Sequence, residues 1–310
     1  MRAEGLTVGY NDLHLFKDLD LQLHAGELVC FMGPNGCGKS TLIKTLAGLL
    51  QPLSGTVPKK DKKNIAVVLT DRIHSQHMTV NDLITFGRYP YLAWDLQLSD
   101  LDKEMISASI DLVRIGNLID KKINELSDGQ MQMVMIARAL AQDTPVLLLD
   151  EPTAHLDLNN RLEVMNLLRR LAREKNKSIL LATHELDLAL QTADVIWLAS
   201  GQTIKQGIPE DLVLDGSFDN VFQFKGYDLK TGKVQHEAYR NKSVKVTGEG
   251  PVVLWTRNAL ERNGFEVDDN SPVEIEIANQ GWKLIHENFN KDFISINELV
   301  KFMIGNYTSK

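Results

Sequence analysis

Apolar residues fall along the chain in two rhythms. Unbroken short runs at 28–32, 65–69, 146–149, 178–182 and 195–198 predict strands buried on both faces. Between them, helical spacing predicts helices over 40–50, with Leu42, Leu46 and Leu49 on one side, over 130–141 and over 158–175, the last ended by Asn176. Strands alternating with helices in this way predict an α/β domain with a largely parallel core. After about 214 the pattern weakens. A new rhythm then begins, with strands at 243–247, 273–277 and 282–285 and helices at 253–263, stopped by Gly264, and 296–304. The expected layout is a first domain over 1–225, a linker over 226–240 and a small α/β domain over 241–310.

No stretch approaches the roughly 20 apolar residues that span a bilayer. The opening Met1-Arg2-Ala3-Glu4-Gly5 lacks the layout of a secretory signal. Any work at a membrane therefore calls for a partner chain. Two cysteines, Cys30 and Cys37, make no disulfide framework and suit a reducing compartment. A net charge of −7 argues against nucleic acid as a partner, because such binding shows as a basic excess.

The strand at 28–32 runs into Gly33-Pro34-Asn35-Gly36-Cys37-Gly38-Lys39-Ser40, a full phosphate-binding loop between strand and helix. Glycines let successive N–H groups face phosphate oxygens, and the helix N-terminus adds its positive end. Lys39 is expected on the β- and γ-phosphates of ATP, Ser40 on Mg²⁺ and Thr41 on the α-phosphate. The run at 146–149 ends in Asp150-Glu151. Asp150 is expected to hold Mg²⁺, and Glu151 to act as general base on the attacking water. Cys37, beside a helix N-terminus, is expected to have a lowered thiol pKa, so that its alkylation blocks the site.

Leu126-Ser127-Asp128-Gly129-Gln130 resembles the signature of ABC transporter ATPases, with Asp128 where glycine is commonest. Pro152-Thr153-Ala154-His155-Leu156-Asp157 resembles the D-loop of that family, and His184 its switch histidine. With the phosphate loop and Asp150-Glu151, five motifs stand in the family's order over about residues 1–225. The resemblance implies a P-loop ABC cassette: a mixed sheet core, an antiparallel β subdomain and a helical subdomain over about 77–140. It implies a head-to-tail homodimer with two ATP molecules between the subunits, each meeting Ser127, Asp128, Gly129 and Gln130 in trans, with Asp157 at the dimer contact. It places Tyr10 against adenine and His184 on the γ-phosphate, orienting Glu151 and water. Where the family has a glutamine that touches Mg²⁺, this chain offers Asp71, or Gln76 if the loop slides.

The segment 78–91, with Phe86-Gly87-Arg88-Tyr89-Pro90-Tyr91, resembles importer ATPases for ferric siderophores, haem and cobalamin. That implies integral-membrane permease subunits as partners, an extracytoplasmic binding protein, and a place on the cytoplasmic face of the inner membrane. Iron chelates are the expected cargo, with haem or cobalamin as alternatives. Two other readings are weaker: a regulatory module that binds ATP but barely hydrolyses it, which Glu151 and His184 argue against while Asp71 and Asp128 keep it open, and a soluble ATPase of nucleic-acid metabolism, whose usual second cassette or long coiled-coil insertion the sequence lacks. The tail past 240 is expected to govern dimerisation or regulation.

Overall fold

The computed structural model describes residues 1–310 except 58–62, 71–72, 74, 225–226, 231, 235–237, 279–280, 287–288 and 307–310; Asp71 thus lies outside the described residues. The chain divides into two compact units, Met1–Gln223 and Phe224–Lys310.

The first unit opens with β1 (Arg2–Tyr10) and β2 (Leu13–Gln22), an antiparallel pair. It continues through β3 (Leu28–Met32), α1 (Lys39–Leu46), β4 (Ser54–Thr56) and β5 (Ile65–Val68). Next come α2 (Val80–Thr85), a 3-10 turn at Phe86–Tyr91, α3 (Asp100–Val113), α4 (Asp128–Ala141) and β6 (Val146–Asp150). The unit closes with α5 (Leu158–Lys175), β7 (Ser178–Ala182), α6 (Leu186–Thr192), β8 (Val195–Ser200), β9 (Thr203–Gly207), α7 (Pro209–Leu214) and α8 (Ser217–Phe222). A six-stranded sheet runs β5-β6-β7-β3-β8-β9, parallel except for β9, and a smaller antiparallel sheet runs β2-β1-β4. Every residue of β3, β6 and β7 is buried, which is why these strands read as unbroken apolar runs. Between the sheets, Phe16, Phe31 and Trp197 pack into one core, Phe31 and Trp197 edge to face with centroids 6.5 Å apart.

α1 is shorter than the apolar spacing predicts. It stops at Leu46, and Gly48, at φ 66°, turns the chain so that the Leu49 and Leu50 amides both donate to the Lys44 carbonyl. Leu49 is therefore past the helix and half exposed rather than on its buried side.

In the second unit, a short hairpin of β10 (Tyr227–Asp228) and β11 (Lys233–Val234) lies within the stretch read as a linker. There follow β12 (Ser243–Thr247), α9 (Pro251–Arg262), β13 (Glu266–Val267), β14 (Glu274–Ala278), β15 (Gly281–His286), β16 (Phe289–Phe293) and α10 (Ile296–Asn306). The sheet order is β13-β12-β14-β15-β16, with β12 parallel to both neighbours. Leu260, Phe265, Ile275, Leu284, Leu299 and Met303 form its core. Gly264, at φ 82°, ends α9 and lets the Phe265 amide donate back to the Leu260 carbonyl. A buried Thr256 hydroxyl receives the Trp282 indole N–H at 2.7 Å, satisfying the one polar atom of that ring.

Candidate functional site

Three neighbouring strands, β6, β7 and β3, end at the same edge of the sheet, where open α/β sheets bind ligands. β3 delivers the phosphate-binding loop, β6 delivers Asp150 and Glu151, and β7 leads to Thr183 and His184. Residues more than 140 positions apart thus meet.

Gly38 caps α1 at φ 108°, a conformation in which side-chain-bearing residues are strained. Gly33 is required for space, since a Cβ there would lie 2.7 Å from the Ala199 Cβ. Lys39 is buried, and its ammonium donates to the Gly33 carbonyl at 2.9 Å and the Pro34 carbonyl at 3.2 Å. Tyr10, Leu13, Asn35, Gly36, Ser40, Thr41 and Glu151 are among the residues that line a cavity of about 370 Å³. Tyr10 reaches it from the end of β1 with its ring half exposed, free to face a planar ligand.

Asp150 is buried, and neither carboxylate oxygen makes a hydrogen bond. Burial raises its pKa; the nearby Ser40 hydroxyl, short of a well-formed bond, opposes this, and Glu151 adds to it. Two bare, buried oxygens beside a serine hydroxyl are hard donors that suit Mg²⁺. Glu151 takes a left-handed backbone, φ 50°, while its amide donates to the Ala182 carbonyl at 2.9 Å. Its Oε2 lies 3.1 Å from His184 Nδ1.

Cys37 departs from expectation. Burial raises its thiol pKa, outweighing the Lys39 ammonium and the loop amides that pull it down.

Ser127 caps α4: its hydroxyl accepts from the Gln130 amide at 3.3 Å, and the Gln130 side chain accepts from the Ser127 amide at 3.1 Å. Ser127 and Asp128 are exposed. Among the described residues lining the nucleotide-sized cavity, none comes from 127–130. Gly129 faces the 152–157 loop, where a Cβ would lie 3.3 Å from the His155 carbonyl oxygen. Asp157 caps α5, accepting from the Asn160 amide at 2.8 Å. Gln76 lines a separate cavity of about 450 Å³ with Asp128, Gln132 and His155.

The sequence reading missed Arg161 and Glu185, which pair at 2.7 Å beside His184. A cation in the first turn of a helix, where the macrodipole favours acids, was the available signal.

The chain matches the ABC transporter family over residues 16–154 and the iron ABC transporter C-terminal domain over 241–303. It is 36% identical over 283 residues to an uncharacterized ABC transporter ATP-binding protein of Methanocaldococcus jannaschii, covering 86% of this chain and 98% of that protein. The chain belongs to the ATP-binding proteins of ABC transporters. It is therefore an ATPase with the ABC cassette fold. The iron(3+)-hydroxamate import ATP-binding protein FhuC of Bacillus subtilis is 34% identical, over 80% of this chain and 98% of its own length. The ferric enterobactin transport ATP-binding protein FepC of Escherichia coli is 32% identical, over 72% of this chain and 86% of its own. Among solved structures, a metal-chelate-type ABC transporter in an inward-facing conformation aligns with a TM-score of 0.65 at 28% identity, over 72% of this chain and 88% of that one.

Proposed function

We propose that this ABC ATPase drives import of a ferric siderophore through separate permease subunits, working as a head-to-tail homodimer that closes on two ATP molecules. The observation that carries the cargo is the match of 241–303 to the iron ABC transporter C-terminal domain, alongside relatives named for ferric-chelate import. The cargo itself reaches the permease from an extracytoplasmic binding protein and never touches this chain.

In this reading Tyr10 stacks on adenine, the loop amides of 33–38 and Lys39 hold the phosphates, and Thr41 steadies the α-phosphate. Ser40 and Asp150 hold Mg²⁺, with Asp71 at the third expected position. The ion supplies positive charge against the transferring phosphoryl group. Glu151 takes the proton of the attacking water, and His184, in contact with it, orients both. The exposed Ser127 with the α4 N-terminus presents amides to a nucleotide on the other subunit. Asp157 lies at the contact between the two copies.

Support for a permease contact comes from the helical subdomain, where Phe86, Tyr89, Trp94, Leu96 and Leu101 are all exposed, Trp94 at 96%. Apolar residues left in water in such number suit burial against a protein partner. No helix among the described residues is long and apolar enough to cross a membrane. The partner would hold the chain at the cytoplasmic face of the inner membrane.

The test is uptake of ⁵⁵Fe-hydroxamate siderophore, haem and labelled cobalamin by cells lacking the gene for this chain. Loss of siderophore uptake, restored by the parent and not by Glu151→Gln, is expected. The purified Glu151→Gln variant should bind Mg-ATP yet hydrolyse it roughly 10²–10⁴-fold more slowly. Intact siderophore uptake with lost cobalamin or haem uptake would overturn the cargo, and a fully active Glu151→Gln the base.

A further inference from the structure

His184 faces two carboxylates, not one. Its Nδ1 lies 3.1 Å from Glu151 Oε2, and its Nε2 lies 3.5 Å from Glu185 Oε1. That same Glu185 oxygen is held by Arg161 Nη1 at 2.7 Å. Arg161 also donates through Nε to the Leu156 carbonyl at 2.8 Å, inside the 152–157 loop. A guanidinium can make both bonds at once because its donors form a rigid fork. Its place at the end of the first turn of α5 is unfavourable for a cation, so these bonds, not the helix, keep it there. Both partners are shielded, with side chains 33% and 18% exposed, against 52% for His184.

We propose that Arg161 is a positioning residue for ATP hydrolysis, setting His184 against Glu151 by holding Glu185 and joining that setting to the 152–157 loop through Leu156. The inference rests on the reading of Glu151 as base. Without Arg161, Glu185 loses its 2.7 Å anchor and is free to close on His184 Nε2, competing with Glu151 for the ring. The Leu156 carbonyl loses its side-chain donor in the same step. The 152–157 loop lies beside Gly129 of the signature segment. Arg161 is thus the side chain through which a change at that loop reaches the catalytic pair.

The test uses the full chain with Mg-ATP. Arg161→Met should lower kcat roughly 10–100-fold, the loss expected when a catalytic group is misplaced by about an ångström. KM for ATP should stay within about twofold, because Arg161 is not among the residues lining the nucleotide cavity. Arg161→Lys should recover part of the rate, since an ammonium can pair with Glu185 but lacks the rigid fork that holds Glu185 and Leu156 in one geometry. Glu185→Gln should reproduce much of the loss, and it carries the test if Arg161→Met fails to fold. In a His184→Ala background, Arg161→Met should cost nothing further; an equal loss with and without His184 would overturn the proposal.

A readout independent of turnover is the NMR signal of ¹³C-labelled histidine rings. The chain has 8 histidines, and His184→Ala identifies the signal in question. Arg161→Met must move it, and an unmoved signal sinks the proposal even if the isolated chain does not turn over. A Glu151→Gln variant as active as the parent removes the base reading and this inference with it. An inactive Glu151→Gln beside a fully active Arg161→Met removes only the inference.

Discussion

Arg88 and Asp102 form an ion pair that the helical subdomain can ill spare. Arg88 Nε lies 2.8 Å from Asp102 Oδ1, and their side chains are only 5% and 7% exposed. The guanidinium also donates to the Ala141 carbonyl at 2.9 Å, at the end of α4, and lies 4.0 Å from the centre of the Tyr91 ring. Asp102 in turn completes the cap of α3, accepting from the Ser99 amide at 2.9 Å and the Ser99 hydroxyl at 2.6 Å. One arginine therefore fastens the 86–91 turn, α3 and α4 together.

Replacing Asp102 with leucine leaves a buried cation that cannot shed its proton. Breaking such a pair from one side costs about 3–5 kcal/mol, and loss of the α3 cap about 1 kcal/mol more. For a unit of this size 1 kcal/mol shifts Tm by about 2–4 °C, so Asp102→Leu should lower it by about 10 °C or more. Arg88→Met alone should cost about 3 kcal/mol, because the stranded carboxylate keeps its two bonds to Ser99. The double variant removes both charges and should be more stable than the sum of the singles predicts by about 2 kcal/mol or more. The measurement is calorimetric or urea unfolding of all four proteins. The pH dependence has a fixed sign. The Ser99 hydroxyl bond above all, with the Arg88 pair and against the effect of burial, holds the Asp102 pKa below its ordinary value. A depressed folded pKa gives stability that is complete above the unfolded value of about 4 and is lost as pH falls through the folded one. The gap between parent and Asp102→Leu should stay constant from pH 7 to about 5 and narrow only below about 4. Additive single-variant losses, or a cost under about 1 kcal/mol for Asp102→Leu, would refute the reasoning.

Three further outcomes are expected. Because burial raises the Cys37 thiol, iodoacetamide should label it slowly at pH 7 and faster as pH rises, bound ATP should protect it, and labelling should block hydrolysis; full activity after stoichiometric labelling ends that claim. Cys30, fully buried and pushed up to about 12, should stay unlabelled in the folded chain. Gly248 stands at φ 143°, where a Cβ would lie 2.9 Å from the Ile277 Cβ, so Gly248→Ala should destabilise the second unit by about 2 kcal/mol, read by tryptophan fluorescence in urea. A change under about 0.5 kcal/mol would show that the backbone there relaxes freely.

What was legible in the sequence follows from what sequence neighbours can determine. The strands buried on both faces announced themselves as apolar runs, and α5 was readable to its end because Asn176 takes the left-handed turn, φ 52°, that stops it. β1 and β2 were not readable as strands, because three register shifts between Ala3 and Gly9 break the alternation that would mark them. α3 carried a readable cap, Ser99 with Asp102 three residues on, that went unused. The Cys37 thiol was given the wrong sign because distance to a helix N-terminus is a local fact and burial is not. The same division runs through the site. Lys39 and Ser40, at the start of α1, or Asp150 and Glu151, at the end of β6, are recognisable because each pair is adjacent in the sequence. The Glu151–His184–Glu185–Arg161–Leu156 chain is assembled by the adjacency of β6 and β7 and by the packing of α5, and no spacing in the sequence encodes it. Motif residues stand together in short sequence patterns. The residues that aim them answer only to one another, so the structure is where they become visible.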